Sequence, residues 1–164
     1  MRMIPDYRLV KRKARELLEE AGVEHPPVNP ISMAREHGLN VKFVSFSGDF
    51  AQVSGFYDPD EEAIYINKNE SPLRQTFTIA HELGHALLHK EWAASDGYKV
   101  FWRDPERNND DPHEKEANAF AAHLLVPRNL LDQYYRNLSE SDLSKLFAVS
   151  VPAIKNRLAF EYGL

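Results

Sequence analysis

A chain of 164 residues with 43% hydrophobic content is long enough to bury one good core, and one compact unit is the expectation. A formal net charge of −5 argues against a chain-wide electrostatic grip on nucleic acid and leaves room only for a local basic patch. With no cysteine there are neither disulfides nor thiolate ligands for zinc, and no apolar run of about 18 residues offers a membrane span.

The opening Met1-Arg2-Met3-Ile4-Pro5-Asp6 lacks the apolar stretch of a signal peptide, so the expected compartment is the cytoplasm. Residues 5–21, with Leu9, Val10, Ala14, Leu17 and Leu18, predict an amphipathic helix closed by Gly22. Pro26-Pro27-Val28-Asn29-Pro30 is a rigid connector, and residues 31–37 predict a short helix stopped at Gly38. Strand patterns follow at 40–46, 50–57 and 63–67. The last two flank the acidic turn 58–62, which predicts a hairpin.

Ser71-Pro72 is a helix start, a hydroxyl cap followed by a residue whose missing N–H is not needed there. The apolar surface that follows, from Leu73 and Phe77 through Leu83 to Leu88, is too wide for an exposed helix and predicts burial. Within it stands His81-Glu82-Leu83-Gly84-His85. Residues four apart lie one turn up on the same face, about 6 Å apart, so His81 and His85 can hold one Zn²⁺ through neutral ring nitrogens. Glu82, next to the first ligand, is placed to take a proton from the attacking water rather than to bind the metal. His89 lies about 12 Å along the axis from His81, too far to share the ion, and is expected at the helix C-terminus, interacting with its dipole.

Residues 91–110 are polar but contain Tyr98, Val100, Phe101 and Trp102, and are expected to form a short strand, a lid over the cleft or a surface insertion. A second helix then starts at the Asp111 cap with Pro112 in its first turn. Glu114 fits the partner position of a capping box. Glu116 shares a face with Ala117, Phe120, Ala121 and Leu124, where a carboxylate needs a cation, and is the preferred third ligand. Glu114 is the alternative, with His113, His123 and the Asp110-Asp111 pair behind it.

Beyond residue 130, Leu143 to Leu158 contain two short helical patterns around Ala148-Val149-Ser150, similar to a helix-turn-helix with Ser150 capping the second helix. Lys155, Asn156 and Arg157 could face DNA, but Glu161 and the negative chain oppose it, so packing or partner docking is preferred and DNA binding by the protein alone is not expected.

The stretch Phe77-Thr78-Ile79-Ala80-His81-Glu82-Leu83-Gly84-His85, taken with Glu116-Ala117-Asn118-Ala119-Phe120-Ala121-Ala122-His123-Leu124-Leu125-Val126-Pro127, resembles the ImmA/IrrE metallopeptidases, which are gluzincin-like. Val126 stands where family members often have Met, an apolar exchange without chemical consequence. The resemblance covers roughly residues 25–130. It implies His81, His85 and Glu116 as ligands of one Zn²⁺ per chain and Glu82 as the catalytic base. It also implies a protein substrate, a helix-turn-helix repressor cut to derepress a mobile-element or stress operon. The expected fold is α+β, a zincin-like core with a small antiparallel sheet on the His-Glu-x-x-His helix. Residues 1–130 form the peptidase domain and 131–164 a helical segment packed on it. Tyr57, Tyr65 and His123 are candidate oxyanion donors, and Arg74 is expected in a structural ion pair. The competing function is a non-proteolytic regulatory or DNA-binding module that keeps zinc for stability. An intact Glu82 speaks for the enzyme, because purely structural zinc requires no base.

Overall fold

The computed structural model describes residues 4–96, 98 and 110–164. In chain order the described elements are α1 (Tyr7–Glu20), α2 (Pro30–Glu36), β1 (Asn40–Val44), β2 (Gly55–Asp58), β3 (Ala63–Asn67) and α3 (Pro72–Leu88). They continue with the single turn α4 (Lys90–Ala93), then α5 (Pro112–Leu125), α6 (Arg128–Tyr134), α7 (Glu140–Phe147) and α8 (Val151–Tyr162).

Local chemistry explains most of the boundaries. Asp6 caps α1 by accepting the Leu9 N–H, Asn29 caps α2, and Ser71 accepts the Arg74 N–H at the start of α3. Asp111, Ser139 and Ser150 do the same for α5, α7 and α8. Each such cap satisfies an orphan backbone donor and contributes about 1 kcal/mol. Between α7 and α8 the chain reverses at Ala148, which takes the left-handed conformation at φ 56°.

The strands form one sheet in the order β1-β3-β2. The expected hairpin is present: β2 pairs antiparallel with β3, Tyr57 opposite Ile64, across the Asp58 turn. β1 joins the other side of β3 in parallel, Val41 opposite Ile64, so antiparallel pairing is confined to the hairpin. One face of the sheet lies on α3. At Gly55 the approach is so close that a Cβ would stand 2.5 Å from the Tyr65 carbonyl oxygen and 2.9 Å from Thr78 Cγ2. The strand predicted over 50–57 is shorter in the structure. A 3₁₀ turn covers Gly48–Phe50, and Asn67 Nδ2 donates to the Ala51 and Val53 carbonyls at 3.2 and 2.9 Å.

α5 is the hub of the helical layer, packed against α3 on one side and α1 on the other. A single apolar cluster runs from Val10 of α1 through Ile64 and Ile66 of β3, Leu83 of α3 and Phe120 of α5 to Ile154 and Leu158 of α8. The C-terminal helices share this core. Arg157 of α8 is buried and donates through Nε to the Val126 carbonyl, which ends α5. Among the described residues no helix is long and apolar enough to cross a membrane.

Candidate metal centre and active site

Helix α3 is buried all round through its second half, from Thr78 to His85 without a break. A buried imidazole must satisfy both ring nitrogens. His81 meets Asn118 Oδ1 of α5 through Nδ1 at 2.8 Å, and His85 meets His89 Nδ1 through Nδ1 at 2.9 Å. Both rings therefore turn Nε2 toward α5. There the two nitrogens share one acceptor, the Glu114 carboxylate, whose Oε2 is 2.6 Å from His85 Nε2 and 3.3 Å from His81 Nε2.

His81, His85 and Glu114 are all buried, and their ligand atoms lie within 4.8 Å of one another. Two imidazole nitrogens and one carboxylate oxygen, converging with each Nδ1 already occupied, make a donor set that fits a divalent ion such as zinc. The electrostatics agree. Burial holds His85 neutral, with its pKa lowered to about 3, so the ring carries a single proton and one nitrogen can serve a metal. Burial alone would raise the Glu114 carboxyl, but the charge of His81 and the hydrogen bonds from His81 and His85 outweigh it and keep Glu114 ionised.

Glu116 does not reach this cluster. Its Oε1 is 2.7 Å from His89 Nε2, and its Oε2 accepts the backbone N–H of Asp6 at 2.6 Å. The structure thus replaces Glu116 with Glu114 beside the two histidines. The reason is helical phase: residues two apart point about 200° away from each other, and only the Glu114 side of α5 faces His81 and His85. Glu114 is also not occupied by a capping box, since the Asp111 side chain accepts from the His113 N–H and the Glu114 carboxylate turns inward. His89 does end α3, but its ring is buried between His85 and Glu116 rather than turned to the helix carbonyls.

Glu82 is buried beside the cluster, Oε2 standing 3.6 Å from His81 Nε2. Its other oxygen, Oε1, accepts from the Tyr98 hydroxyl at 2.6 Å. That hydroxyl in turn accepts the Tyr57 N–H at 2.7 Å. Burial, and then the Glu82 carboxylate, push the Tyr98 phenol well above its ordinary value, so it remains a donor. Tyr98 was not singled out for the site by sequence reasoning. Its signal was an aromatic residue inside a polar insertion. The rest of the strand or lid expected in 91–110 falls largely on residues 97 and 99–109, outside the described residues.

The other candidates lie away from the cluster. The Tyr57 ring is in the core, and Tyr65 stacks on Phe56 and donates to Glu61 on the opposite face of the sheet. His123 packs on Phe160, with Glu161 4.0 Å away. His113, by contrast, borders the site, stacked on Trp92 and with its ring 5.0 Å from that of His89, while Arg74 is exposed on the first turn of α3. Asn118, one turn beyond Glu114 on the same face of α5, is a second site residue that the sequence reading passed over.

Residues 34–159 match the family model described as the IrrE N-terminal-like domain, a peptidase family. The chain is 31% identical over 130 residues to immunity region protein 2 of Bacillus phage phi105, covering 78% of this chain and 75% of that protein. It is 35% identical over 123 residues to the radiation response metalloprotease IrrE of Deinococcus deserti, covering 74% of this chain but only 42% of that protein. Against metallopeptidase ImmA of Bacillus subtilis it is 28% identical over 131 residues, 72% of this chain and 75% of that one. A Mycobacterium tuberculosis transcriptional regulator has the same fold over 92% of this chain and 46% of its own, with a TM-score of 0.65 at 19% identity.

Proposed function

The chain belongs to the IrrE N-terminal-like family of metallopeptidases, and from that premise we propose that it is a zinc-dependent endopeptidase whose ligands are His81, His85 and Glu114 and whose base is Glu82. The observation that carries this reading is the convergence of two Nε2 atoms and one carboxylate, with a second, separately held carboxylate at their side. Zinc held there would supply the Lewis acid that polarises the scissile carbonyl and acidifies the attacking water. Glu82 accepts the proton from that water and passes it to the leaving amine. Tyr98 holds Glu82 Oε1, so the free motion of the base is restricted and Oε2 stays on the His81 side.

The sheet supports a place for an extended peptide. Asn67 N donates to Ser54 O, and in an antiparallel ladder bonded pairs alternate, so Gly55 and Tyr57 turn their N–H and C=O groups away from β3; the Tyr57 N–H is taken by the Tyr98 hydroxyl, which leaves the Tyr57 C=O and the Gly55 groups on that side of β2. A substrate strand can add there. The substrate we infer is a protein repressor with a helix-turn-helix domain. Similarity to a phage immunity region protein and to the metallopeptidase ImmA is what supports this. Direct DNA binding is not part of the proposal, since Arg157, one of the two cations available for it, is buried and bonded to Glu161 at 2.8 Å.

Glu82→Gln tests the reading. The amide keeps the size of the side chain but cannot accept the proton, so zinc content should stay near wild type while cleavage of a helix-turn-helix repressor substrate stops. Loss of zinc together with activity would place Glu82 in the coordination sphere, and unchanged cleavage would remove peptidase chemistry from Glu82.

A further inference from the structure

Metal-binding histidines usually donate their second ring N–H to a carboxylate or carbonyl, which fixes the ring and its tautomer. His81 does so to Asn118. His85 instead meets another imidazole, and that imidazole meets a carboxylate anchored to a different helix. We propose that His89, Glu116 and the Asp6 backbone N–H form a positioning chain that sets the tautomer of His85 and so determines how tightly zinc is held. The proposal rests on the ligand set given above.

The direction of the chain follows from donor and acceptor counts. The Glu116 carboxylate only accepts, taking the Asp6 N–H on Oε2 and facing His89 Nε2 with Oε1. The proton of a neutral His89 therefore sits on Nε2, and its Nδ1 offers a lone pair. Once zinc takes the His85 Nε2 lone pair, in place of the proton that bridges Nε2 and Glu114 at 2.6 Å without it, His85 Nδ1, 2.9 Å from His89 Nδ1, must be the donor. His89 and Glu116 are 3% and 1% exposed, a buried polar pair that a merely filled space would not call for. The carboxylate that the motif pattern suggested as a ligand thus acts on the metal through two imidazoles.

Glu116→Gln reverses the chain. If the amide oxygen keeps the Asp6 N–H, its NH₂ faces His89 Nε2 and drives the His89 proton to Nδ1. His85 then has to accept on Nδ1 and carry its proton on Nε2, where the metal binds. If the amide is turned the other way, two donors meet at Asp6. The first arrangement satisfies every contact of the metal-free protein, with His85 Nε2 donating to Glu114, and fails only when zinc needs that nitrogen. Zinc affinity, measured by competition with a chromophoric chelator, should fall by about 10- to 100-fold in Glu116→Gln and in His89→Phe, the range for lost outer ligand contacts. Thermal unfolding of the metal-free proteins should change little for Glu116→Gln, which a purely structural role would not allow. Should Glu116→Gln fail to fold, the zinc affinity of His89→Phe decides. Tight zinc binding by wild type with equal affinity in the variant measured overturns the chain, and so does unfolding of both metal-free variants. Absence of zinc binding in the wild type defeats the ligand set itself.

Discussion

At the scale of single residues, the sequence made the clustering of His81, Glu82 and His85 readable because their relation is local: four residues on a helix give one face, whatever the rest of the chain does. The carboxylate that joins the two histidines was not readable in the same way. α5 is packed on two sides, by α3 and by α1, so its apolar residues do not single out one inward direction. Glu114 and Glu116 are both buried, at 1% each, and a hydrophobic face cannot tell which of the two meets the histidines. Tyr98 was hidden for the opposite reason. Its hydroxyl reaches Glu82 from a segment with no periodicity, and only the tertiary fold brings them together.

At the scale of elements, the helices were legible through their caps, since Ser71, Asp111 and Ser150 act on backbone donors two or three residues away. The end of β2 was not, because the carbonyls ahead of it are satisfied by the Asn67 side chain instead of a strand partner. Packing of α3 on α5 is what delivers Glu114, and Gly84 of α3 lies directly against Phe120 of α5. A Cβ there would lie 3.0 Å from Phe120 Cδ1 and 3.2 Å from Cγ, while the Phe120 ring is fully enclosed. Alanine in a helix gains about 1 kcal/mol over glycine, but overpacking a closed core costs about 1–3 kcal/mol. Gly84→Ala should therefore destabilise the protein by about 1 kcal/mol in urea unfolding and weaken zinc binding by shifting α5. A more stable Gly84→Ala would mean that Phe120 yields and the helix spacing is not set there.

At the scale of the whole molecule, the core passes continuously from α1 to α8, so the helix-turn-helix-like end is part of the same packing as the site. His123 of α5 is one joint of that assembly, placed against Phe160 and Glu161 of α8. Its pKa is lowered from 6.5 to about 4, by burial first and then by the charges of Arg157 and Lys11, against the pull of Glu161. The folded state thus prefers the neutral ring. As pH falls from 6.5 to about 4, the unfolded chain takes up a proton that the folded chain refuses, and this share of stability, complete above the unfolded value, is lost. His123→Gln should have a flatter stability profile than wild type in that window, with both measured in the same zinc state. An unchanged slope would mean that Glu161 already compensates for protonation.

The central claim concerns which atoms hold the metal, and anomalous diffraction at the zinc edge from crystals of the zinc-loaded protein addresses it most directly. One ion should lie about 2.0–2.2 Å from His81 Nε2, His85 Nε2 and a Glu114 carboxylate oxygen, with Glu82 and Glu116 outside that shell. An ion bound by Glu116, or by Glu82, would contradict the account.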